Sequence, residues 1–130
     1  MKVIDGKNAV MGRLASYVAK EVLKGEEIVV VNCNEVIITG NRKNIEQEFE
    51  ATRKRVGSTQ KGPKISRIPE RIVKRAIRGM LPNVRHNGRG RQAFKDIRCY
   101  AGVPKEFESA KKIEMKHERN KFINVKDLAK

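Results

Sequence analysis

The sequence predicts an α/β fold, and three neighbouring observations carry the prediction. Val3 to Asp5 reads as a short strand. Met11, Leu14, Ala15, Val18, Ala19, Val22 and Leu23 then recur at the i, i+3, i+4 spacing of one helical face. Ile28 to Val31 follows as an unbroken β-branched run, the pattern of a strand buried on both faces. Strand, helix and buried strand make a βαβ unit, whose crossover is right-handed in nearly all proteins.

The remaining elements follow in chain order. DGKNAVMG is a glycine-bounded turn into the first helix, and Gly25 stands where a left-handed cap would end it. Val36 to Thr39 reads as a third strand. Only Asn32 to Glu35 separate it from the second, too few residues for a helical crossover, so parallel and antiparallel pairing both stay open. After GNRK, a helix is expected from Asn44 to Val56, with Glu46, Glu48 and Glu50 early and Arg53, Lys54 and Arg55 late, an order that suits the helix dipole. GSTQKGPKISRI, residues 57 to 68, has turn residues and no periodicity, and is expected to be an exposed loop carrying Lys61, Lys64 and Arg67. Pro69 opens an amphipathic helix that ends before Pro82. Arg71, Lys74, Arg75 and Arg78 occupy one side of it, while Ile72, Val73, Ala76, Ile77, Met80 and Leu81 fill the other. A short helix from Arg89 to Ile97 and a last sheet strand at Arg98 to Tyr100 complete the patterned part, and residues 105 to 130 form a weakly patterned tail with a short apolar end at Phe122 to Val125.

At 130 residues and 38% apolar content, the chain is long enough for one domain with a real core. Its net charge of +15 is concentrated. Residues 1 to 52 carry net −1, residues 53 to 91 net +12 with Glu70 the single acid, and residues 92 to 130 net +4. An internal block of like charge, interrupted by helix-spaced apolar residues, is expected to be a folded surface that meets a polyanion. Within it, RAIRGMLPNVRHNGRGR, residues 75 to 91, places five arginines on a helix, a turn and the start of a second helix. Arginine's planar, permanently charged fork suits phosphate. Gly88 and Gly90 are read as openings that let the backbone approach a phosphate chain. His86, between Arg85 and Asn87, is expected to be one more phosphate or base contact, and His117 a surface residue. The aromatic residues Tyr17, Phe49, Phe94 and Tyr100 sit at packing positions, which favours backbone and shape contacts to helical RNA over a stacking platform for single strands. Composition alone does not separate RNA from DNA.

Other chemistries find little support. DGKNAVMGR matches neither GxGxxG nor GxxxxGK[ST], so a nucleotide cofactor is not expected; Lys7 and Arg13 near that helix start still suit a backbone phosphate. Cys33 and Cys99 are too far apart in the chain, and too irregularly spaced from the histidines, for a metal signature, and they are expected to be buried free thiols. Nothing couples a nucleophile to a base. MKVIDGKN lacks the apolar stretch of a signal peptide and no run reaches membrane-span length, so a cytosolic protein is expected. A nucleotide-dependent enzyme and a DNA-packing protein are the competing readings.

VIDGKNAVMGRLASYVAKEVLKG, IVVVNCNEVIITGNRK, RIPERIVKRAIRGMLP and GRGRQAFKDIRCYAG resemble, in order and spacing, the universal large-subunit ribosomal protein thirteen family, over roughly residues 3 to 104. The KGP loop before RGMLP, and the lack of an insertion between the first helix and the VVV strand, are similar to the archaeal and eukaryotic branch. The resemblance implies a three-layer α/β/α domain with a mostly parallel four-stranded sheet, extended by a basic loop and helix. It implies a structural, non-catalytic constituent of the large ribosomal subunit in the cytoplasm, with ribosomal RNA and neighbouring ribosomal proteins as partners and no cofactor, metal, membrane or small-molecule substrate. Its RNA-facing residues map onto Arg71, Lys74, Arg75, Arg78, Arg85, Arg89 and Arg91, with Arg13, Arg42 and Lys43 secondary. The charge map adds Arg53, Lys54, Arg55, Lys61, Lys64, Arg67 and His86.

Overall fold

A computed structural model describes residues 1–85, 88–116 and 121–129. Four strands make one all-parallel sheet in the order β4-β2-β1-β5: β1 (Lys2–Asp5), β2 (Ile28–Val31), β4 (Ile97–Cys99) and β5 (Lys112–Glu114). Lys2 pairs with Ile28 and Ile4 with Val30, so the predicted βαβ unit closes through α1 (Met11–Val22). Gly25 takes φ +95 just past that helix, as its glycine predicts, and its N–H donates to the Val22 carbonyl at 3.1 Å.

Because side chains alternate along a strand, β1 and β2 divide the core in two. Ile4, Ile28 and Val30 point to a helical layer formed by Leu14, Val18 and Val22 of α1, by Ile72, Val73 and Ile77 of α3 (Pro69–Gly79), and by Ala93 of α4 (Arg89–Lys95). Val3, Val29 and Val31 point the other way, against Phe107, with Tyr100, Val103 and Ala110 around it. The three-layer arrangement therefore holds, with its second helical layer reduced to a single 3-10 turn at Lys105–Phe107. All four residues of β2 are buried, which accounts for its lack of alternation.

The third strand departs from the expected sheet. β3 (Ile37–Thr39) lies outside the four-stranded sheet and pairs antiparallel with β6 (Phe122–Asn124), Ile38 facing Ile123. The weakly patterned tail is accordingly a structural segment. It supplies β5 beside β1, β6 beside β3, and a one-turn helix α5 (Val125–Leu128) whose Val125 and Leu128 are buried, and the Val125 N–H donates to the Val36 carbonyl at 2.8 Å. Strands of three residues are too short to show a period, so their pairing is decided by what they land against. His117 lies outside the described residues.

Helix α2 (Arg42–Lys54) starts two residues earlier than expected, because the Asn41 side chain accepts from the Lys43 N–H at 3.0 Å and caps it. Arg42 and Lys43 thus sit at the positive end of the dipole, and Arg42 is compensated by Glu46 at 3.1 Å. The apolar side of α3 is narrower than its spacing predicts: Ile72, Val73 and Ile77 are buried, while Met80 is 46% exposed at the C-cap. Ile97 leaves the predicted short helix and starts β4.

Gly90 has a different role from the one its sequence context implied. It is buried, and a β-carbon there would lie 2.1 Å from the Pro82 carbonyl oxygen. The glycine lets the first turn of α4 pack on the backbone that follows α3, and it is not an opening for phosphate. Gly88 is exposed, has nothing within 4 Å of a would-be β-carbon, and its φ of 172° is ordinary extended backbone. The thiols are free; Cys33 is buried and Cys99 partly exposed. Cys33 Sγ lies 3.8 Å from the Val30 carbonyl, and Val30 is the register partner of Cys99, which places the two thiols side by side. A hydrogen bond with Cys99, reinforced by burial, pushes the Cys33 thiol far above its ordinary range.

Gly90→Ala is expected to lower stability by about 1–3 kcal/mol through overpacking, and Gly88→Ala to change it by less than about 0.5 kcal/mol; urea denaturation of the two variants separates them. In the folded protein a soluble alkylating reagent should modify Cys99 well before Cys33, as followed by peptide mass spectrometry. Equal rates would contradict the buried, protonated state of Cys33.

Candidate nucleic-acid interface

The basic segment folds into two arms around α3. The first is the loop from Arg55 to Ile68, which is wound rather than open. Gly57 takes φ +69, and Thr59 and Gln60 take φ 52° and 58°. Gly62 returns so close that its N–H donates to the Val56 carbonyl at 2.7 Å, and a β-carbon on it would meet the Arg55 carbonyl at 2.5 Å. Both glycines are needed to close the loop. Its returning strand is tied to α2: Arg53 Nε donates to the Ile65 carbonyl at 3.3 Å, and Arg67 pairs with Glu50 at 2.7 Å. Arg53 also approaches Glu50, at 3.9 Å. These two arginines, expected as RNA contacts, have an internal job in holding the loop.

The second arm runs from Leu81 through Arg85 into α4, and the Gly90–Pro82 contact holds it. Between the arms and the C-terminal half of α3 lies a cleft of about 710 Å³ lined by Lys61, Lys64, Arg75, Arg78 and Arg85, with Pro63, Leu81 and Val84 as its apolar parts. A second hollow of about 630 Å³ lies on the other side of the loop, with Arg53, Arg55 and Lys64. A third, of about 400 Å³, is lined by Arg78, Val84, Arg85, Arg91, Phe94 and Lys95. Among the described residues no carboxylate lines any of the three. So many cations close together on the surface raise its potential and concentrate anions there.

Eight of the expected residues are thus brought together: Arg53, Arg55, Lys61, Lys64, Arg75, Arg78, Arg85 and Arg91. Lys74 is beside them but faces inward, its ammonium 4.7 Å from the centroid of the Phe94 ring, where a cation–π contact braces α4 against α3. Lys54, Arg71 and Arg89 are exposed on their helices without lining a hollow, as are Arg13 on α1 and Arg42 and Lys43 at the start of α2. Arg67 stays with Glu50. His86 lies outside the described residues. Lys95 was not anticipated; its spacing of four residues from Arg91 on a short helix is the signal that places both on one face.

At the carboxyl ends of β1 and β2, where open α/β sheets usually take nucleotides, the space is filled by the chain itself. The Gly6 N–H donates to Val31 at 2.8 Å, Asn8 to Glu35 at 3.0 Å and Ala9 to Gly6 at 3.1 Å. Asp5 accepts from the Asn32 side chain at 2.9 Å. The Gly6, Lys7, Asn8 and Ala9 amides of the first βα turn are thereby engaged, Lys7 with the Asp5 side chain at 3.0 Å, while the first turn of α1 has no side-chain cap.

Comparison with known proteins identifies the family. A family model described as ribosomal protein L13 matches residues 1–106. The large ribosomal subunit protein uL13 of Methanocaldococcus jannaschii is 44% identical over 133 aligned positions, covering 100% of this chain and 96% of that protein. Its namesake in Methanococcus maripaludis is 51% identical over 107 positions, covering 80% and 77%. That of Methanococcoides burtonii is 36% identical over 136, covering 100% and 96%. These organisms are archaea, within the archaeal and eukaryotic branch to which the KGP loop pointed. With the motifs, the parallel sheet and full-length relatives in agreement, the chain belongs to the ribosomal protein L13 family.

Proposed function

We propose that this protein is a structural, non-catalytic constituent of the large ribosomal subunit, acting as one domain that binds ribosomal RNA and supports subunit assembly in the cytoplasm. Neighbouring large-subunit proteins are its other partners. The observation that carries the RNA contact is the acid-free set of three hollows around α3. Phosphate neutralisation by arginine and lysine supplies most of the free energy of such binding, and arginine adds paired, directional hydrogen bonds. The packed back of α3 holds Arg75 and Arg78 outward at little entropic cost on binding. Two competing readings fare less well. A nucleotide-dependent enzyme lacks a phosphate-binding loop, since DGKNAVMGR matches neither GxGxxG nor GxxxxGK[ST], and the relatives that speak against a DNA-packing protein are named as large ribosomal subunit proteins.

Binding to large-subunit ribosomal RNA should fall on the order of a thousandfold or more between about 50 and 200 mM salt if roughly six to ten phosphates are contacted. A flat response would contradict the electrostatic account. Replacing Arg75 and Arg78 together by Ala should reduce the slope of log affinity against log salt by about two while leaving thermal unfolding unchanged. Ile77→Ala should do the reverse, costing about 2–5 kcal/mol of stability at a fully buried site. In lysate the protein should sediment with large subunits, and ribonuclease should release it.

A further inference from the structure

We propose that Cys33 and Cys99 are a redox-sensitive pair, which a hydroperoxide joins into an intramolecular disulfide that staples the two ends of the segment carrying the basic surface.

The fold brings the two cysteines together from either side, along the chain, of residues 53 to 91. Cys99 ends β4 and is paired in register with Val30 of β2. Cys33 follows β2, and its Sγ donates to the carbonyl of that same Val30 at 3.8 Å. The backbone is laced at this point. The Tyr100 N–H donates to Val30 at 2.9 Å, and the Asn32, Cys33 and Asn34 N–H groups donate to the carbonyls of Gly102, Tyr100 and Ala101 at 3.1, 3.1 and 3.2 Å. Hydrogen-bonded backbones run about 4.7–4.9 Å apart, within the span of about 4.4–6.8 Å that a disulfide bridges between α-carbons. The side-chain directions agree as well. Cys99 lies two residues after Ile97 on one strand and so shares its face; Ile97 and Cys33 are both in the main core, and Cys99 packs against it. A hydrogen bond between the thiols keeps the sulfurs in contact.

Exposure sets the order of the chemistry. Cys99 is partly exposed and Cys33 is buried, so Cys99 meets the oxidant first. Its thiolate attacks the O–O bond of hydrogen peroxide, forming a sulfenic acid and releasing hydroxide, which takes up a proton as water. The Cys33 sulfur then attacks the Cys99 sulfur; the S–S bond forms, and the sulfenic oxygen leaves as water with the Cys33 proton. Two thiols are oxidised and one peroxide is reduced. Part of what holds Cys33 protonated is negative charge on Cys99, and conversion of Cys99 to a neutral sulfenic acid removes it. Thiols of a reducing cytoplasm reverse the bond.

The loop closed by the bond contains all of residues 53 to 91, with net +12. Cross-linking its ends restricts the unfolded chain, and the restriction grows with loop length. It therefore offsets the self-repulsion of that segment while no polyanion is bound.

The test treats the reduced, purified full chain with hydrogen peroxide and maps its peptides by mass spectrometry without reductant. A cross-linked peptide pair joining Cys33 to Cys99 is expected in monomeric protein, lost on addition of dithiothreitol, with a urea midpoint shifted upward from that of the reduced protein. In Cys33→Ala the Cys99 sulfenic acid should persist and be trapped by dimedone several-fold more than in the wild type. No oxidation, or oxidation that stops at Cys99 in the wild type as a sulfenic or sulfinic acid or as a dimer linked through Cys99, overturns the pairing. A bond between the two that forms only in the presence of urea overturns it too. A bond that leaves the urea midpoint unmoved or lowers it overturns the staple. Should Cys33→Ala fail to fold, the wild-type peptide map decides alone.

Discussion

The contact on which the rest depends is the burial of one stripe of α3. Ile72, Val73 and Ile77 go into the main core with Leu14 and Val18 of α1 and Ile97 of β4. Each such side chain contributes roughly 1.5–3 kcal/mol when taken fully out of water, enough to fix the rotation of the helix about its axis. Once that rotation is set, Arg75 and Arg78 must lie outward, because at about 100° per residue they fall on the side of the helix opposite the stripe made by Ile72, Val73 and Ile77. The loop before α3 and the turn after it then flank the same outward side.

Charge is the opposing constraint. Residues 53 to 91 carry net +12 with a single acid of their own, and like charges at this density repel. The fold uses carboxylates from outside the segment sparingly. Glu50 serves both Arg53 and Arg67, joining the loop to α2, and one cation, Lys74, is turned onto an aromatic ring. Surface pairs of this kind contribute little stability each, so their main effect is geometric: they hold the walls while leaving the central cleft without a carboxylate. A bound polyanion relieves the remaining repulsion, and any ligand that binds the folded state alone also stabilises it.

Glycine placement shows how tightly the two arms are specified. Gly57, Gly62 and Gly90 each bring one stretch of backbone closer to another than a β-carbon permits or take a turn that larger residues resist. Gly90 is the instructive case, since in GRGR it looks like an adaptation to phosphate. Its contact with Pro82 instead makes it a packing residue that sets where Arg91 and Lys95 stand.

The sequence by itself determined the elements whose signal is local. The periodicity of α1 and α3, the unbroken apolar run of β2, the glycine after α1 and the segregation of charge are all written in residues close together, and they yielded the α/β class, the cationic front of α3 and the family. Tertiary structure decided what depends on residues far apart. The fourth sheet strand, Lys112–Glu114, and the partner of β3, Phe122–Asn124, are three residues each and carry no period of their own. Arg53 and Arg67 look the same in sequence as Lys61 and Lys64, yet Glu50 and the Ile65 carbonyl reach only the first pair. A cation's role is set by whether a carboxylate or carbonyl arrives within hydrogen-bond distance, and that is a property of the folded chain.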